Sequence, residues 1–304
     1  MPRIDDQLLD SVVYLYPTVA DAETALGVGG TGFLVCVPSP SLPGFFYRYA
    51  ITNAHIITAN PDEGRPAAPV VRLNTQDGAT DILPLTVNDW KCATGDDLAA
   101  AHLGRLDSAH FKFVLIPMEK FLTKELVTSL EIGPGDETFM VGRFINHEGQ
   151  QRNLPAVRFG NIAMMPGEPI MNRESGQLQE AFLVETRSLP GYSGSPVFVH
   201  IIPGTRRPSD PPGAGAYGNP PGPWLLGVDY GHLPVWTKAV EKGHERDAVV
   251  PGRTISVESN SGQMCVVPAW KLRDLLYCEE FVARRQQSDD QIKGSLGAII
   301  LDHP

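Results

Sequence analysis

The chain has 304 residues, of which 42% are hydrophobic and 20% charged, a size and composition that allow one large domain or two modest ones around a sizeable core. Its 25 Lys and Arg residues against 35 Asp and Glu residues give a net charge of −10, which disfavours a nucleic-acid partner where no basic patch offsets it. No apolar run is long enough to span a membrane, so we expect no membrane role.

The N-terminus and the cysteines bear on the compartment. Residues 1–7 (MPRIDDQ) are polar and acidic, whereas a secretory signal needs a basic end followed by an apolar stretch. The four cysteines, Cys36, Cys92, Cys265 and Cys278, are widely spread and form no C-x-x-C pair. We therefore predict a cytoplasmic protein with reduced, mostly buried thiols, although an even count also permits two disulfides.

Short β-branched and aromatic runs, separated by Gly, Pro, Asn and Asp, dominate residues 1–117 and predict a β domain. Its predicted strands are residues 11–16, 32–37, 45–52, 70–73, 82–87, 98–103 and 112–116. Residues 118–131 break this pattern, and the apolar Phe121, Leu122 and Leu126 there fit a short helix or a connecting strip. We interpret this segment as a linker between two domains.

Strands resume in a second predicted β domain, residues 132–268. Its predicted strands are residues 137–143, 157–164, 181–186, 196–200, 224–230 and 263–267. Residues 203–223 are more than half Pro or Gly and are predicted to form a surface loop. A second long connection is predicted over residues 234–255.

The last segment, residues 269–304, changes character again. Apolar residues at helical spacing predict an amphipathic helix over residues 269–286. Residues 287–304 are predicted to be a tail. Many short strands with turn signals between them, followed by one helix, indicate an all-β fold of the sandwich or barrel kind.

Three short segments carry residue types that suit acyl transfer. The segment ITNAHII ends a β run near His55, GDDLAA contains Asp97, and PGYSGSPVF contains Ser193. A serine hydroxyl needs a base within hydrogen-bond reach, imidazole suits that role near neutral pH, and a buried carboxylate orients the imidazole. The three segments together therefore predict a Ser-His-Asp site.

The segment around Ser193 also supplies donors for an oxyanion. Glycines on either side of Ser193 permit a tight turn, and Gly191 lets the backbone approach a substrate carbonyl closely. We expect the N–H groups of Gly191 and Ser193 to converge on the oxyanion that develops during acyl transfer.

These segments resemble the motifs of the chymotrypsin-like (trypsin-fold) serine peptidases, and they follow the family's order of His, Asp and Ser. Residues 52–55 (TNAH) are similar to Thr-Ala-Ala-His, and residues 97–100 (DLAA) to Asp-Ile-Ala-Leu. Residues 191–196 (GYSGSP) match four of the six positions of Gly-Asp-Ser-Gly-Gly-Pro. Residues 30–35 (GTGFLV) resemble the family's Gly-(Ser/Thr)-Gly-Phe strand, and residues 265–272 (CVVPAWKL) the last strand and helix start of bacterial members.

The resemblance extends over roughly residues 10–285. It implies two six-stranded antiparallel β-barrels with a C-terminal α-helix and a catalytic site in the cleft between the barrels. It also implies a serine endopeptidase in which Ser193 attacks a peptide carbonyl, His55 transfers the proton and Asp97 orients His55. The N–H groups of Gly191 and Ser193 would hold the oxyanion. The implied substrate is a protein or peptide, and no cofactor or metal is implied.

Three positions bear on activation and specificity. Tyr192 stands where zymogen-activated members of the family carry an Asp that pairs with a newly cut N-terminus, so we expect no activation through that ion pair. Arg187 lies six residues before the nucleophile, where the family places the base of its substrate pocket, and His232 falls near another pocket wall. The resemblance thus implies a cationic lining that favours an acidic residue before the scissile bond.

Two neighbouring residues compete for the assigned roles. Asp96 precedes Asp97, and because a one-residue slip reverses the face of a strand, only one of them can face His55. The family motif favours Asp97. Ser195 competes with Ser193, but choosing Ser195 loses the flanking glycines.

Alternative functions remain open beside the endopeptidase. An α/β-hydrolase would require Gly-x-Ser-x-Gly, whereas Ser195 occupies the last position, and the strand–helix alternation of that fold is absent. A peptidase fold can also be silent until a regulatory protein partner binds, or can persist as an inactive binding scaffold. Such a partner is expected at residues 203–223, at residues 234–255 or on the C-terminal helix.

Overall fold

A computed structural model describes residues 3–27, 29–144, 149–186, 191–202, 207–209, 222–239 and 255–301 of the chain. The N-terminal half is organised around one sheet. Its strands are β1 (Val12–Tyr16), β2 (Thr31–Pro38), β3 (Phe46–Thr52), β4 (Val70–Asn74), β5 (Thr80–Leu83), β6 (Trp90–Cys92), β7 (Ala99–His102) and β8 (Ile116–Pro117). Antiparallel pairing gives the order β5-β4-β1-β2-β3-β7-β6, and β8 lies parallel beside β2.

This sheet stays open, so the prediction of two closed six-stranded barrels is corrected for the N-terminal half. The edge strands β5 and β6 do not pair with each other. Pro84 follows β5 and has no N–H to offer a neighbouring strand. Thr86 and Asp89 then cap a single 3₁₀ turn reciprocally, with the Thr86 N–H donating to the Asp89 carboxylate at 2.7 Å. This turn leads the chain away from the sheet before the short β6.

The C-terminal half is a closed antiparallel barrel of six strands, as predicted. It follows residues 118–131, which contain one short α-helix, α3 (Lys124–Ser129); two further short α-helices, α1 (Val19–Thr24) and α2 (Ala54–Ile57), lie in the N-terminal half. The remaining strands are β9 (Glu137–Gly142), β10 (Ala156–Met164), β11 (Ile170–Met171), β12 (Leu178–Gln179), β13 (Phe182–Glu185), β14 (Pro196–His200), β15 (Trp224–Ala239) and β16 (Ile255–Pro268). The barrel closes in the order β10-β13-β16-β15-β14-β9, and β11 and β12 form a separate hairpin.

The last two barrel strands are longer than predicted. Residues 234–239, expected in a connection, continue β15 and pair with the first part of β16, with Val235 opposite Ser259. Glycine and proline weaken a strand pattern in the sequence, and the register between β15 and β16 shifts next to Gly231 and Pro234. These shifts let the two strands continue to pair past both residues. Residues 240–254 lie outside the described residues, as does most of the predicted loop at 203–223.

The C-terminal segment is helical almost throughout, as α4 (Ala269–Leu276) and α5 (Glu279–Leu301). The predicted helix is therefore present but interrupted after Leu276, and residues 287–301 are helical where a tail is predicted. The buried Asp289 explains this difference. Its carboxylate accepts the hydroxyl hydrogens of Ser39 and Ser41 at 2.7 Å each, and also that of Tyr47, so α5 is held against the N-terminal half.

One hydrophobic core joins the two halves. Its largest cluster includes Tyr14 and Phe33 from the open sheet, Phe139 and Phe198 from the barrel, and Leu272 from α4. The rings of Phe139 and Phe198 stack with centroids 5.0 Å apart. Among the described residues, no helix is both long enough and apolar enough to cross a bilayer.

Candidate active site

His55 lies on the single helical turn that follows β3. The strand ends at Thr52, and Asn53 keeps an extended backbone (φ −84°, ψ 150°) before the turn begins. Ile56 and Ile57, the next two residues, are buried and anchor the turn. The imidazole of His55 lies at the wall of a cleft.

Asp97 reaches His55 from the segment before β7, the strand that pairs with β3. Its Oδ2 lies 2.6 Å from the His55 Nδ1, and its Oδ1 accepts the backbone N–H of His55 at 2.9 Å. The side-chain amide of Asn53 donates to the carbonyl oxygen of Asp97 at 2.9 Å. The carboxylate of Asp97 therefore holds both the ring and the main chain of His55.

The electrostatics of this pair favour an ionised Asp97. Asp97 is only 3% exposed, and burial alone would raise its pKa. The neighbouring His55 and hydrogen bonds from His55 and Asn172 outweigh burial, so the pKa of Asp97 is lowered from 3.8. An ionised carboxylate accepts the Nδ1–H of His55 and leaves Nε2 as the basic nitrogen.

Asp96 has a different partner. Its Oδ2 lies 3.4 Å from the Nζ of Lys271 on α4, and burial raises its pKa. No hydrogen bond or ion pair joins Asp96 to His55 within the described part of the chain. Of the two neighbouring carboxylates, the structure brings Asp97 to His55.

Ser193 lies on a tight turn that leads into β14. Gly191 and Gly194 have φ angles of +91° and +87°, in the left-handed region that favours glycine. The turn closes with a hydrogen bond from the Ser195 N–H to the Tyr192 carbonyl at 2.9 Å. A Cβ at Gly194 would overlap the carbonyl oxygen of Thr31, so this position requires glycine for space as well as for conformation.

Two threonines fix this turn against the strands that precede His55. Thr31 donates its N–H to the Ser193 carbonyl at 2.9 Å and its hydroxyl to the Gly191 carbonyl at 2.8 Å. The Thr52 hydroxyl in turn donates to the Thr31 carbonyl at 2.7 Å. Because Thr52 is three residues before His55, these hydrogen bonds set the turn of Ser193 beside the turn of His55.

Three polar groups of the turn make no hydrogen bond to any other described residue. They are the hydroxyl of Ser193 and the N–H groups of Gly191 and Ser193, and both residues line the same cleft as His55. Ser195, in contrast, is fully buried and does not line the cleft. Burial makes Ser195 unsuitable as a nucleophile for an external substrate.

Tyr192 is anchored inside the barrel. Its side chain is fully buried, and its hydroxyl accepts a hydrogen bond from the Nε of Arg158 on β10 at 2.9 Å. The guanidinium of Arg158 also lies 5.1 Å from the centre of the Tyr192 ring. The residue before Ser193 is thus held by a barrel strand.

The cleft that contains His55 and Ser193 has a volume of about 600 Å³. His232, predicted near a pocket wall, lines it together with Tyr230 of the same strand. Arg187, the other predicted specificity residue, lies outside the described residues.

Two other features of the cleft limit its chemistry. Cys265 lines it, but burial raises the pKa of this thiol to about 12, so the sulfur stays protonated and is a poor nucleophile. The two arginines of the lining are both paired, Arg65 with Glu174 at 2.8 Å and Arg173 with Glu258 at 2.9 Å.

Within the described ranges, no three His, Cys, Asp or Glu side chains form a group that could hold a metal ion. All four cysteines of the chain are free.

Two buried residues that the sequence analysis does not single out also contact Asp97. Asn172 donates its side-chain amide to Oδ2 of Asp97 at 3.3 Å. Gln179 accepts the backbone N–H of Asp97 on its Oε1 at 3.0 Å. They are 75 and 82 residues away from Asp97 in the sequence and belong to no motif, so no local signal marks them.

No protein-family model matches the chain, and no curated protein matches it. Solved structures do. The chain is similar to the protease domain of MamO from Magnetospirillum magneticum in its apo form, with 15% identity, a TM-score of 0.45, and coverage of 88% of this chain and 97% of that one. It is similar to the inactive form of the Rv3671c protease from M. tuberculosis (14% identity, TM-score 0.40, coverage 88% and 88%) and to HBP (10%, 0.46, 90% and 93%). These similarities concern the path of the backbone; the chemistry of the cleft follows from this chain's own residues.

Proposed function

We propose that the chain is a serine endopeptidase that cleaves proteins or peptides through an acyl-enzyme on Ser193. The observation that carries this proposal is the hydrogen bond of 2.6 Å between His55 Nδ1 and the buried Asp97. This bond leaves Nε2 of His55 as a general base, and Ser193 lines the same cleft as His55. A structural histidine on the surface would need no such buried carboxylate.

The first half of the reaction uses all three side chains. The Nε2 of His55 takes the hydroxyl proton of Ser193 as its Oγ attacks the substrate carbonyl carbon. Asp97 stays ionised and stabilises the imidazolium that forms. His55 then gives the proton to the leaving amine, the C–N bond breaks, and an ester on Ser193 remains.

The second half regenerates the enzyme. His55 takes a proton from a water molecule, the resulting hydroxide attacks the ester carbonyl, and the proton returns to the Oγ of Ser193 as the acid product leaves. In both halves a negative charge develops on the carbonyl oxygen. The N–H groups of Gly191 and Ser193, which have no acceptor among the described residues, are the donors that we assign to it.

The proposal extends to specificity and activation. From the resemblance we carry over Arg187 and His232 as specificity residues that favour an acidic residue before the scissile bond; of the two, His232 lines the cleft. The anchoring of Tyr192 by Arg158 supports an oxyanion turn that is held without a newly cut N-terminus.

A second candidate is the same enzyme kept silent until a regulatory protein partner binds. The observation that favours it is the Ser193 hydroxyl, which makes no hydrogen bond to His55 in the described part of the chain. Binding of a partner would then bring the hydroxyl into hydrogen-bond distance of the imidazole.

A peptide-library cleavage profile tests the proposal. The purified chain should release new termini that are absent with Ser193→Ala, and acidic residues should be enriched before the cleaved bonds. Cleavage that appears only after cell lysate is added would select the partner-dependent form. Equal cleavage by wild type and Ser193→Ala would overturn the assignment of the nucleophile.

A further inference from the structure

The hairpin of β11 and β12 is an insertion between two barrel strands, β10 and β13. Among the described strands, these two pair only with each other, Ile170 with Gln179 and Met171 with Leu178. The start of its turn, including Asn172, lines the cleft. An element outside the barrel thus contributes part of the cleft wall.

The orientation of the Asn172 amide is fixed by the turn of this hairpin. Its Oδ1 accepts the backbone N–H groups of Glu174 at 2.8 Å and Ser175 at 3.4 Å, and so caps the turn. Because the oxygen is used in this way, the NH₂ group must point in the opposite direction. There it lies 3.3 Å from Oδ2 of Asp97 and 3.3 Å from Oε1 of Gln179.

Gln179 forms a hydrogen bond with the main chain of Asp97. Its Oε1 accepts the N–H of Asp97 at 3.0 Å as well as the amide of Asn172. Asn172 and Gln179 are only 1% and 3% exposed, so water cannot readily replace either partner. The hairpin therefore fixes both the backbone and the carboxylate of Asp97.

The tip of the hairpin reaches His55 as well. Glu174 forms an ion pair of 2.8 Å with Arg65, and the guanidinium of Arg65 also donates to the carbonyl oxygen of His55. The hairpin, an element of the C-terminal half, is thus tied to both members of a pair that belongs to the N-terminal half.

We propose that Asn172 is a positioning residue for the reaction, and that the β11–β12 hairpin holds it in place through Gln179. Its amide donates to the oxygen of Asp97 that binds the ring of His55. This donation fixes the plane of the carboxylate, and with it the direction in which His55 presents Nε2. The expected effect of Asn172 on the rate of hydrolysis rests on the proposed function, whereas its effect on the hydrogen bond between His55 and Asp97 does not.

Proton NMR of the full-length chain tests the structural part. The His55 Nδ1–H in a short charge-assisted hydrogen bond to Asp97 should give a far-downfield resonance, which Asp97→Asn should remove. Asn172→Ala should shift this resonance upfield or broaden it by exchange with solvent. Gln177→Ala, an exposed residue of the same turn, should leave it unchanged. A wild-type resonance in Asn172→Ala would overturn the proposal.

Steady-state hydrolysis tests the kinetic part. Asn172→Ala should lower kcat about tenfold and leave KM within about twofold, because ring alignment acts on proton transfer more than on substrate binding. Asn172→Asp keeps the oxygen that caps the turn and replaces the amide donor with a second buried carboxyl group beside Asp97, so kcat should fall by at least as much. Unchanged kcat in both variants would contradict the positioning role. If the wild type hydrolyses nothing, either alone or with added lysate, the proposed function fails, and the resonance still decides the role of Asn172.

Discussion

Adjacent carboxylates at positions 96 and 97 behave differently because their surroundings differ. Both are buried enough for desolvation to raise the pKa, and for Asp96 the neighbouring Lys271 does not offset this effect. For Asp97, the charge of His55 and three kinds of hydrogen bond reverse it. The sequence motif favours Asp97, and the structure adds the physical reason, which is the shared hydrogen bonding with His55.

This difference predicts unequal effects of two matched substitutions. Asp97→Asn should lower kcat by about 10³–10⁴-fold, because an amide at this position stabilises the wrong tautomer of His55. Asp96→Asn should change kcat by less than about threefold, since its carboxylate pairs with Lys271. Hydrolysis of one peptide substrate by both purified variants measures this. Similar losses in the two variants would contradict the assignment of Asp97.

The same residue predicts a pH dependence of stability. Because the pKa of Asp97 is lower in the folded chain than its ordinary 3.8, its ionised form stabilises the fold above that value, and the stabilisation is lost as the pH falls through the folded pKa. Urea unfolding should therefore show wild type more stable than Asp97→Asn at pH 7, with a gap that narrows below about pH 4. A gap that stays constant down to pH 2 would contradict this account.

At the scale of single elements, the turn around Ser193 depends on Gly194. Alanine there would have to adopt φ near +87° and would overlap Thr31, so Gly194→Ala should lower the free energy of unfolding by about 2 kcal/mol or more and abolish hydrolysis. Gly133→Ala is the matched control, because a Cβ at Gly133 meets nothing within 4 Å. Chemical denaturation and activity assays should separate the two variants. Full activity in Gly194→Ala would mean that the turn is not the one described.

Helix α5 depends on the buried Asp289 rather than on its own sequence pattern. A chain that ends at Gln286 loses this carboxylate, so the hydroxyls of Ser39 and Ser41 lose their acceptor and that of Tyr47 keeps only the carbonyl oxygen of Arg285. Its free energy of unfolding should fall by about 2 kcal/mol or more. A chain that ends at Lys293 keeps the cluster and should unfold close to wild type. Equal stability of both truncated chains would show that the cluster contributes nothing.

Elements with strong local patterns were the predictable part of the fold. The strand from Pro196 to His200 has the predicted bounds, and the barrel that contains it closes as expected. Three features depended on distant contacts that no local pattern encodes. They are the continuation of β15 beyond Pro234 with the matching early start of β16, the helical segment after residue 286, and the open edge at β5.

The candidate site shows the same division. His55, Asp97 and Ser193 each stand in a recognisable short segment, and their order in the chain suggested that they meet. Asn172 and Gln179 reach Asp97 only because an inserted hairpin folds across the cleft. Polar residues in a connection without periodicity give no sign of such a contact, so only the three-dimensional structure identifies them.

At the scale of the whole molecule, the cleft is a product of how two unlike halves pack. The open sheet supplies His55 and Asp97, the barrel supplies Ser193, and a shared core that includes Phe33 and Phe139 fixes one half against the other. The hydrogen bonds of Thr31 then align the two turns locally. Catalysis as proposed therefore needs the intact chain, since neither half contains the complete set of residues.

Covalent modification by a fluorophosphonate probe is the most direct test of Ser193 as an activated nucleophile. The account predicts one modified residue per chain, located at Ser193 by peptide mapping, lost in Ser193→Ala and strongly slowed in His55→Ala. Modification that requires added lysate would identify the partner-dependent form of the enzyme. Modification retained in Ser193→Ala, or absent from the wild type both alone and with lysate, would contradict the account.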